Sequence, residues 1–463
     1  MQRTLELAAA DHRHLWHPFT QQQGWTSEEL PVVIDRAQGT NLYDTEGNVY
    51  IDGVSSLWCN VHGHRHPAID AAIRAQLGRV AHSTLLGLSH QPAIGLAQRL
   101  LAKAPAGLSR VFYSDSGSSA VEIALKMAFQ SWAQRGEPER TGFISLQNAY
   151  HGDTLGAVSV GGIDLFHSLY SPLLFQSWQA RAGDAAHLEA LLHEHAGHLA
   201  AVILEPLVQG AAGMLVQPHG YLRQVRRLCD SHQVLLICDE VATGLGRTGR
   251  MFACEHEGVS PDLLCIGKGL TGGYLPLAAT LTTERVYESF LGRPEDFCTF
   301  FHGHTYTGNP LACAAGIATL ETFERERTLE ALQPKIELLD RMLAHQIASL
   351  PGVEEVRQRG FMVGIELIGR PAQERLGHRV TLAARRSGAI IRPLGDVVVL
   401  MPPLSISEAD LRRLVAITAD AITQATGGRA SGGEGGRASG GERRAGGRGS
   451  HDPPIRPVAQ GSA

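Results

Sequence analysis

The sequence predicts an α/β protein with a large, mostly parallel sheet and a smaller α+β domain. Short apolar runs rich in Val, Leu and Ile alternate with amphipathic stretches of helical length as far as about residue 426, which is typical of α/β proteins. After about Leu311 the pattern changes to long helices followed by short strands, which indicates a second, smaller module. A chain of 463 residues, 43% of them hydrophobic, is long enough for more than one domain.

The predicted strands follow one another along the chain at intervals of helical length. They are RVFYSD, AAVILEP, VLLICDE, LLCIG and LAATLTT, then, after the long helices, FMVGIELIG, AIIRPLG and VVVLMPP. Near the N-terminus, VVIDRAQGTNLYDTEGNVYIDG alternates like a hairpin around residues 45–48. We therefore expect an N-terminal segment (1–55) that packs with the small domain, a large domain (56–325) and a small domain (326–426).

The composition of residues 427–463 differs from that of the rest. GGRASGGE occurs twice in tandem and almost no apolar residue follows, so we expect a disordered Gly/Arg/Ser-rich tail.

Composition also restricts the class of function and the compartment. A net charge of −5 argues against a nucleic-acid-binding surface. No run reaches the about 20 apolar residues that span a bilayer, and the N-terminus lacks the pattern of a signal peptide. The seven cysteines are scattered and form no CxxC pair, which suits free thiols in a reducing cytosol. We expect a cytoplasmic protein without membrane or nucleic-acid partners.

Two residues at the ends of neighbouring apolar runs suggest the chemistry. Asp239 ends VLLICDE, and Lys268 follows LLCIG between two glycines. Partial burial makes a lysine amine nucleophilic, and a nearby carboxylate can keep a ring nitrogen protonated. These are the groups that pyridoxal 5'-phosphate (PLP) requires. A surface lysine and a helix-capping aspartate are the alternative.

Further motifs supply the other groups that such a cofactor needs. SDSGSSAVEIALKMAFQSW places Gly117 and Ser118 at a helix start, where N–H groups and the helix dipole suit a phosphate. Taken alone, this motif is better explained by ordinary capping by Ser116 or Ser118, which needs no ligand. Tyr150, in NAYHGDTLGAVSV, is either a ring that stacks on a planar cofactor or a core aromatic.

Three other motifs are ambiguous. GLGRTG formally matches a dinucleotide fingerprint, but no long helix is expected after it, so we discount it. HGHRHP lacks the further ligands of a metal site, and no metal is expected. FFHGHTYTGNPLACAA offers Thr305 as a second phosphate contact, and Arg392 suits either a substrate carboxylate or a structural ion pair.

Taken together, these motifs resemble the class III aminotransferases of the fold-type I PLP superfamily. The resemblance runs from about His14 to Pro403 and includes DEVATGLGRTG, GKGLTGG and GHTYTGNPLACAA. Four segments resemble, within that class, the family that aminates 8-amino-7-oxononanoate in biotin biosynthesis: HLWHPFTQ, DGVSSLWCNVHGHRHP, SDSGSSAVEIALKMAFQSW and YHGDTLGAVSVG.

The resemblance implies a role for each candidate residue and a homodimer with shared active sites. Lys268 carries the cofactor and moves the proton, and Asp239 pairs with the ring nitrogen. The other implied contacts are Gly117 and Ser118 to the phosphate, His304 and Thr305 to the phosphate of the partner subunit's site, Tyr150 to the ring, Trp58 and Gly303 to the substrate channel, and Arg392 to the substrate carboxylate.

Two positions in the substrate pocket differ from the family pattern. Phe19 replaces a tyrosine, and Leu57 replaces the first of two adjacent tryptophans. We expect S-adenosylmethionine as the amino donor, with L-lysine as the alternative. Another class III ω-aminotransferase, a PLP-binding protein without catalysis and a nicotinamide dehydrogenase are the rival interpretations.

Overall fold

The computed structural model of the protein describes residues 2–28 and 30–427. The predicted tail lies outside the described residues, apart from Gly427. The strands are β1 (Ile34–Gln38), β2 (Asn41–Asp44), β3 (Val49–Asp52), β4 (Leu108–Ser114), β5 (Gly142–Leu146), β6 (Trp178–Ala180), β7 (Leu199–Leu204), β8 (Val208–Gln209), β9 (Leu215–Val216), β10 (Leu235–Asp239), β11 (Leu263–Ile266), β12 (Ala278–Thr283), β13 (Val353–Arg359), β14 (Met362–Leu367), β15 (Ala389–Ile390), β16 (Arg392–Leu394) and β17 (Val397–Leu400).

The α-helices lie between these strands in most of the chain. They are α1 (Gln2–His14), α2 (Gln22–Glu28), α3 (Ser55–Trp58), α4 (Pro67–Leu77), α5 (Gln91–Lys103), α6 (Gly117–Gln134), α7 (Leu155–Ser159), α8 (Asp164–His167), α9 (Ala185–Glu194), α10 (Tyr221–Ser231), α11 (Glu284–Glu288), α12 (Pro310–Arg325), α13 (Thr328–Gln346), α14 (Leu376–Arg386) and α15 (Glu408–Gly427). Short 3-10 turns add to them, one of which is Lys268–Thr271.

A seven-stranded sheet forms the largest layer, in the order β4-β12-β11-β10-β7-β5-β6. The pairs from β11 to β6 are parallel, whereas β12 runs antiparallel to both β11 and β4. Every residue of β7 and β10 is buried, because helices cover both faces of such a sheet and leave no polar face in the sequence. The predicted fold class, α/β with a mostly parallel seven-stranded sheet, is confirmed.

Two four-stranded sheets are formed by the N-terminal strands together with β15 and by the C-terminal strands. The N-terminal sheet has the order β1-β2-β3-β15, and β2 and β3 form the predicted hairpin around residues 45–48. β15 pairs in parallel with β3, so a C-terminal strand completes the N-terminal sheet. The second sheet, β13-β14-β17-β16, is antiparallel. Because residues as far as Thr426 form one compact unit, the domain boundaries at 55 and 325 stay predictions.

The long helices predicted after residue 311 are α12 and α13. Asn309 caps α12, and its side-chain oxygen accepts the N–H groups of Leu311 and Ala312 at 3.0 and 3.1 Å. Pro310 occupies the first helical position, where its missing N–H costs nothing. This cap places the end of loop 299–308 at a defined point.

The direction of the sheet determines where ligands can bind. Strands β5, β7, β10 and β11 run in the same direction. Strand β4 also runs in that direction, because β12, which lies between β4 and β11, is antiparallel to both. Their carboxyl ends therefore meet at one edge, where α/β sheets bind ligands. Among the described residues, no helix is long and apolar enough to cross a membrane.

Candidate functional site

A cavity of about 450 Å³ lies at the carboxyl edge of the large sheet. The lining residues come from the ends of four strands, from the start of α6 and from the segment around α3. They are Trp58, Ser116, Gly117, Ser118, Tyr150, His151, Gly152, Asp153, Thr154, Glu205, Asp239, Val241, Ala242 and Lys268. Six of the candidate residues that the sequence pointed to are thus brought together: Trp58, Gly117, Ser118, Tyr150, Asp239 and Lys268.

Lys268 occupies the turn that follows β11. Gly269 keeps this turn tight, because a Cβ there would lie 2.8 Å from the Val61 side chain. Burial lowers the pKa of the Lys268 amine, and the carboxylates of Asp239 and Glu205 oppose that shift. The amine lies 5.4 Å from the centre of the Trp58 ring. The Lys268 amine is therefore largely buried and is surrounded by two carboxylates and an aromatic ring.

Asp239 is fixed by a buried histidine. His151 Nδ1 lies 2.8 Å from Asp239 Oδ2 and donates its proton to that oxygen, and the Val241 N–H donates to Oδ1 at 3.0 Å. Both side chains are almost fully buried. Donation from Nδ1 fixes the tautomer of His151, whose Nε2 is buried without a partner among the described residues. The carboxylate is thereby held in one orientation at the cavity floor.

The start of α6 forms the other end of the cavity. Ser116 caps the helix by accepting the Ser119 N–H at 3.2 Å, as the capping alternative proposed, yet Ser116 also lines the cavity. The first N–H groups of a helix have no partner within the helix. A Cβ on Gly117 would lie 2.5 Å from Val241 Cγ1, so only glycine allows this close approach.

Tyr150 lies beside the cavity and is held at both its ends. Its hydroxyl donates to Asp153 Oδ2 at 2.8 Å, and its backbone N–H donates to Glu205 Oε2 at 3.1 Å. Burial and the hydrogen bond to Asp153 raise the pKa of the phenol. The phenol is therefore a neutral donor at ordinary pH.

Glu205 is a candidate residue that the sequence motifs did not indicate. It follows β7, is buried, and its Oε1 accepts the Gly210 N–H at 2.9 Å. Burial raises its pKa to about 7, with His151 opposing and Asp239 reinforcing the shift. The available signal was an acidic residue that ends AAVILEP, in the same way that Asp239 ends VLLICDE.

The remaining candidates lie outside this cavity. Phe19 is exposed and lines an adjoining cavity of about 450 Å³ that shares Asp153 with the first. Leu57 is half exposed. Burial lowers the pKa of Arg392, and the nearby Tyr150 opposes this shift. Among the described residues, no carboxylate lies within ion-pair distance of Arg392, which leaves its guanidinium free for a ligand.

Gly303, His304 and Thr305 lie in loop 299–308. Gly303 and Thr305 are exposed, and His304 Nδ1 lies 4.0 Å from Asp115 Oδ2. In a single chain the loop thus approaches the residue before Ser116 but does not line the cavity.

Two of the three ambiguous motifs, GLGRTG and HGHRHP, prove to have structural roles. GLGRTG runs through turns and is followed only by the short 3-10 helix Ala253–Glu257, not by the long α-helix that a dinucleotide site requires. The HGHRHP histidines are each paired elsewhere: His62 with the Thr319 carbonyl, His64 with Asp52 and His66 with Glu326. Within the described chain no group of His, Cys, Asp and Glu is arranged to hold a metal ion.

The groups around the cavity suit PLP. A buried amine, a buried carboxylate and the start of a helix suit an aldehyde, a pyridine nitrogen and a phosphate. The backbone around Gly117, Val241 and Gly152 leaves no room for a further side chain, because a Cβ on Gly152 would lie 2.4 Å from Ser118 Oγ.

Comparison with known proteins identifies the class. The family described as Aminotransferase class-III matches residues 23–422, so the chain belongs to the class-III aminotransferases. It is an enzyme of that class, and its cofactor is PLP. An amine transaminase from an uncultivated Pseudomonas species, solved in its PLP-bound form, is 35% identical, with a TM-score of 0.83 over 89% of this chain and 99% of that one.

Within the class, the chain is highly similar to one kind of enzyme. A curated relative from Nitratidesulfovibrio vulgaris, adenosylmethionine-8-amino-7-oxononanoate aminotransferase, is 57% identical over 93% of this chain and 84% of its own. The crystal structure of the enzyme of the same name from Methanocaldococcus jannaschii is 45% identical, with a TM-score of 0.89 over 91% of this chain and 99% of that chain.

Proposed function

We propose that this enzyme transfers an amino group from S-adenosylmethionine to 8-amino-7-oxononanoate and so forms 7,8-diaminononanoate in biotin biosynthesis. The observation that carries the proposal is the largely buried Lys268 amine, which shares one cavity with Asp239, Trp58 and Tyr150. The acceptor is named from the relatives at 57% and 50% identity, both adenosylmethionine-8-amino-7-oxononanoate aminotransferases.

The proposed roles follow from the position of each group. Lys268 would hold the cofactor through its amine, and the same amine would accept the proton from the donor carbon and give one to the acceptor carbon. Asp239, oriented by His151, keeps the ring nitrogen protonated. When bound there, PLP supplies an electron sink for the pair of electrons left at the substrate carbon. The first turn of α6, with Gly117 and Ser118, holds the phosphate.

The adjoining cavity suits the alkyl chain of the acceptor. Its lining is mostly apolar and includes Phe19 and Phe166. The Phe166 ring lies 6.3 Å from that of Tyr150 and 5.7 Å from that of Phe19, so three aromatic rings lead outward from the first cavity. Arg392, near Tyr150, is proposed to bind the carboxylate at the far end of the acceptor.

We also propose that the enzyme is a cytoplasmic homodimer. Loop 299–308 exposes large apolar side chains, with Phe301 77% and Tyr306 59% exposed, and Leu86 is 89% exposed. Exposed apolar side chains that lie close together, as Phe301 and Tyr306 do in one loop, mark protein–protein interfaces. A second copy would cover them and bring His304 and Thr305 of the partner subunit to the phosphate.

The decisive experiment supplies each donor separately. The purified, PLP-loaded enzyme is mixed with 8-amino-7-oxononanoate and with S-adenosylmethionine, L-lysine or ornithine, and 7,8-diaminononanoate is measured by mass spectrometry. We expect product with S-adenosylmethionine. Product with L-lysine and none with S-adenosylmethionine would favour L-lysine as the donor, since Phe19 lacks a hydroxyl and Leu57 lacks an aromatic face that could contact a sulfonium nucleoside.

Lys268→Ala provides the catalytic control in the same assay. We expect it to abolish turnover and the visible absorption of the cofactor-loaded enzyme while the protein stays folded. The matched variant is Lys103→Ala, because Lys103 pairs with Glu324 far from the cavity and its loss should leave turnover unchanged. Turnover by Lys268→Ala would contradict the assigned role, and amination of other keto compounds in place of 8-amino-7-oxononanoate would indicate another ω-aminotransferase.

A further inference from the structure

Arg247, the arginine of GLGRTG, is buried without an ion-pair partner. The side chain is 2% exposed, and no carboxylate of the described residues lies within ion-pair distance of it. Instead the guanidinium donates to three backbone carbonyls: Pro402 at 2.7 Å, Asn60 at 2.9 Å and Trp58 at 3.2 Å. A buried cation without a counter-charge is costly, so its retention calls for a specific benefit.

The segment that Arg247 holds has a strained backbone. Ser55, Ser56 and Trp58 have φ angles of 52°, 62° and 65°, in the left-handed region that favours glycine. Two further bonds hold the segment: the Asp52 carboxylate accepts the Ser56 N–H at 2.7 Å, and Ser55 Oγ donates to the Met401 carbonyl at 2.7 Å. Strain of this kind persists only where surrounding contacts impose it.

The anchor of Arg247 is itself rigid. The Phe361 N–H donates to the Arg247 carbonyl at 2.8 Å, next to β14. A Cβ on Gly360 would lie 2.4 Å from the same carbonyl oxygen, so the two backbones are in close contact. The guanidinium thus connects the strained segment to two fixed parts of the fold. Its charge also contributes to the lowered pKa of Lys268.

We propose that Arg247 is a positioning residue that holds the backbone of Trp58 and Asn60, so that the Trp58 ring stays against Lys268 as a wall of the substrate cavity. Arg247 itself does not line the cavity and acts through Trp58. The inference rests on the proposed function only for the choice of substrate in the activity assay. The effect of Arg247 on the segment around Trp58 can be measured without a substrate.

The first test needs no substrate. Hydrogen–deuterium exchange of residues 53–60 is measured in the PLP-loaded Arg247→Lys variant, since a lysine ammonium cannot span carbonyls on two segments as the planar guanidinium does. We expect exchange at least about tenfold faster than in the unsubstituted protein, because the opened segment is no longer held. Arg250→Lys is the matched control, because Arg250 also donates to a backbone carbonyl, that of Glu255, but is exposed.

The second test is a double-mutant cycle with Trp58→Phe in the cofactor-loaded enzyme. We expect Arg247→Lys to lower kcat/KM for the amino acceptor about tenfold on its own and to have little further effect when Trp58 is already phenylalanine. Independent, multiplicative effects in the cycle would overturn the proposal, as would unchanged exchange at residues 53–60. If the wild-type enzyme aminates a different acceptor, the proposed function is wrong. The double-mutant cycle is then measured with that acceptor and still tests the role of Arg247.

A second variant, Ser55→Ala, distinguishes the proposed positioning role from a purely structural role of the segment at residues 53–60. Ser55→Ala removes the bond to Met401 without removing a charge and serves as the second variant if Arg247→Lys does not fold. Under the proposal it also speeds exchange at 53–60 and is non-additive with Trp58→Phe. Misfolding of Arg247→Lys combined with additive behaviour of Ser55→Ala would make the segment structural and reject the proposal.

Discussion

At the scale of single residues, burial sets the chemistry of the cavity. Lys268, Asp239 and Glu205 all sit at strand ends, yet burial lowers the pKa of the amine and raises that of the Glu205 carboxyl, because in each case it disfavours the charged form. Asp239 differs from Glu205 because its carboxylate accepts a hydrogen bond from the side chain of His151. The partner that each group receives, rather than its type alone, decides its proposed task.

His151 is predicted to matter through Asp239. His151→Leu removes the donor to a buried carboxylate, a loss worth about 1.5–3 kcal/mol, so we expect kcat to fall at least about tenfold. The matched variant is His62→Leu, because His62 is also buried and hydrogen-bonded, to the Thr319 carbonyl. It should lower the melting temperature but leave kcat nearly unchanged. Equal effects of both variants on kcat would refute the link to Asp239.

Glu205 is predicted to make stability depend on pH. The ordinary pKa of a glutamate is 4.5 and that of Glu205 in the folded protein is about 7, so between those values the folded state binds more protons than the unfolded state. Stability therefore falls as pH rises from about 4.5 to 7, by about 3 kcal/mol from this group, and stays level above. Urea unfolding of the cofactor-free protein at pH 5 and pH 7 measures the slope.

The Glu205→Gln variant separates this group from others. Glu240 has a pKa raised by burial to about 7 as well and keeps its own share of the slope. His62 and His256, whose pKa burial lowers to about 4, change stability with pH in the opposite direction, so the quantity to compare is the difference from the unsubstituted protein. Between pH 5 and pH 7 the change in stability of Glu205→Gln should be more favourable than that of the unsubstituted protein by about 2 kcal/mol, whereas Glu189→Gln, at an exposed position of α9, should match the unsubstituted protein. An unchanged slope in Glu205→Gln would show that the carboxyl is already ionised at pH 5.

At the scale of elements, the start of α6 depends on close packing against the end of β10. Gly117 begins the helix, and its Cα hydrogens face the side chain of Val241, two residues after β10. The same turn bears the serines that line the cavity. The helix therefore presents its free N–H groups at a fixed distance from the carboxyl edge of the sheet.

Two glycines at helical positions should respond oppositely to alanine. Gly117→Ala places a Cβ 2.5 Å from Val241 Cγ1, so the helix start must move, and we expect PLP affinity to fall about tenfold. Gly95→Ala, inside α5, meets its nearest atom at 3.4 Å and should stabilise the protein by about 0.5–1 kcal/mol. Cofactor titration and thermal unfolding give the two values, and an unchanged PLP affinity in Gly117→Ala would argue against a phosphate at this turn.

At the scale of the whole molecule, the position of loop 299–308 supports the proposed homodimer. The loop carries His304 and Thr305 but does not line the cavity of its own chain, and its Phe301 and Tyr306 side chains are exposed. A homodimer explains both observations, since each loop would complete the partner's site.

Shared sites predict complementation between two defective variants. Thr305→Ala should weaken PLP affinity about tenfold by loss of a charge-assisted bond, and Lys268→Ala should be inactive. In a mixed dimer, the Thr305→Ala subunit keeps its own lysine and receives an intact threonine from its partner. We therefore expect co-expressed, mixed dimers to regain activity at a PLP concentration that leaves the Thr305→Ala homodimer unloaded. Mixed dimers without regained activity would place Thr305 at its own subunit's site.

The sequence alone predicted the strands β4, β7, β10, β11, β12, β14 and β17 and the long helices after residue 311, because apolar periodicity is a local signal. It did not predict β5, β6 or β13. It also pointed to Asp239, Lys268, Gly117 and Tyr150, each of which lies near a strand end or a helix start. The tertiary structure decided the rest. Only folding places Glu205 and His151 beside Asp239, and only folding shows that the arginine of GLGRTG holds Trp58. His151 is 88 positions from Asp239, and the arginine is 189 positions from Trp58, so no local pattern encodes contacts that form only when the carboxyl edge of the sheet is assembled.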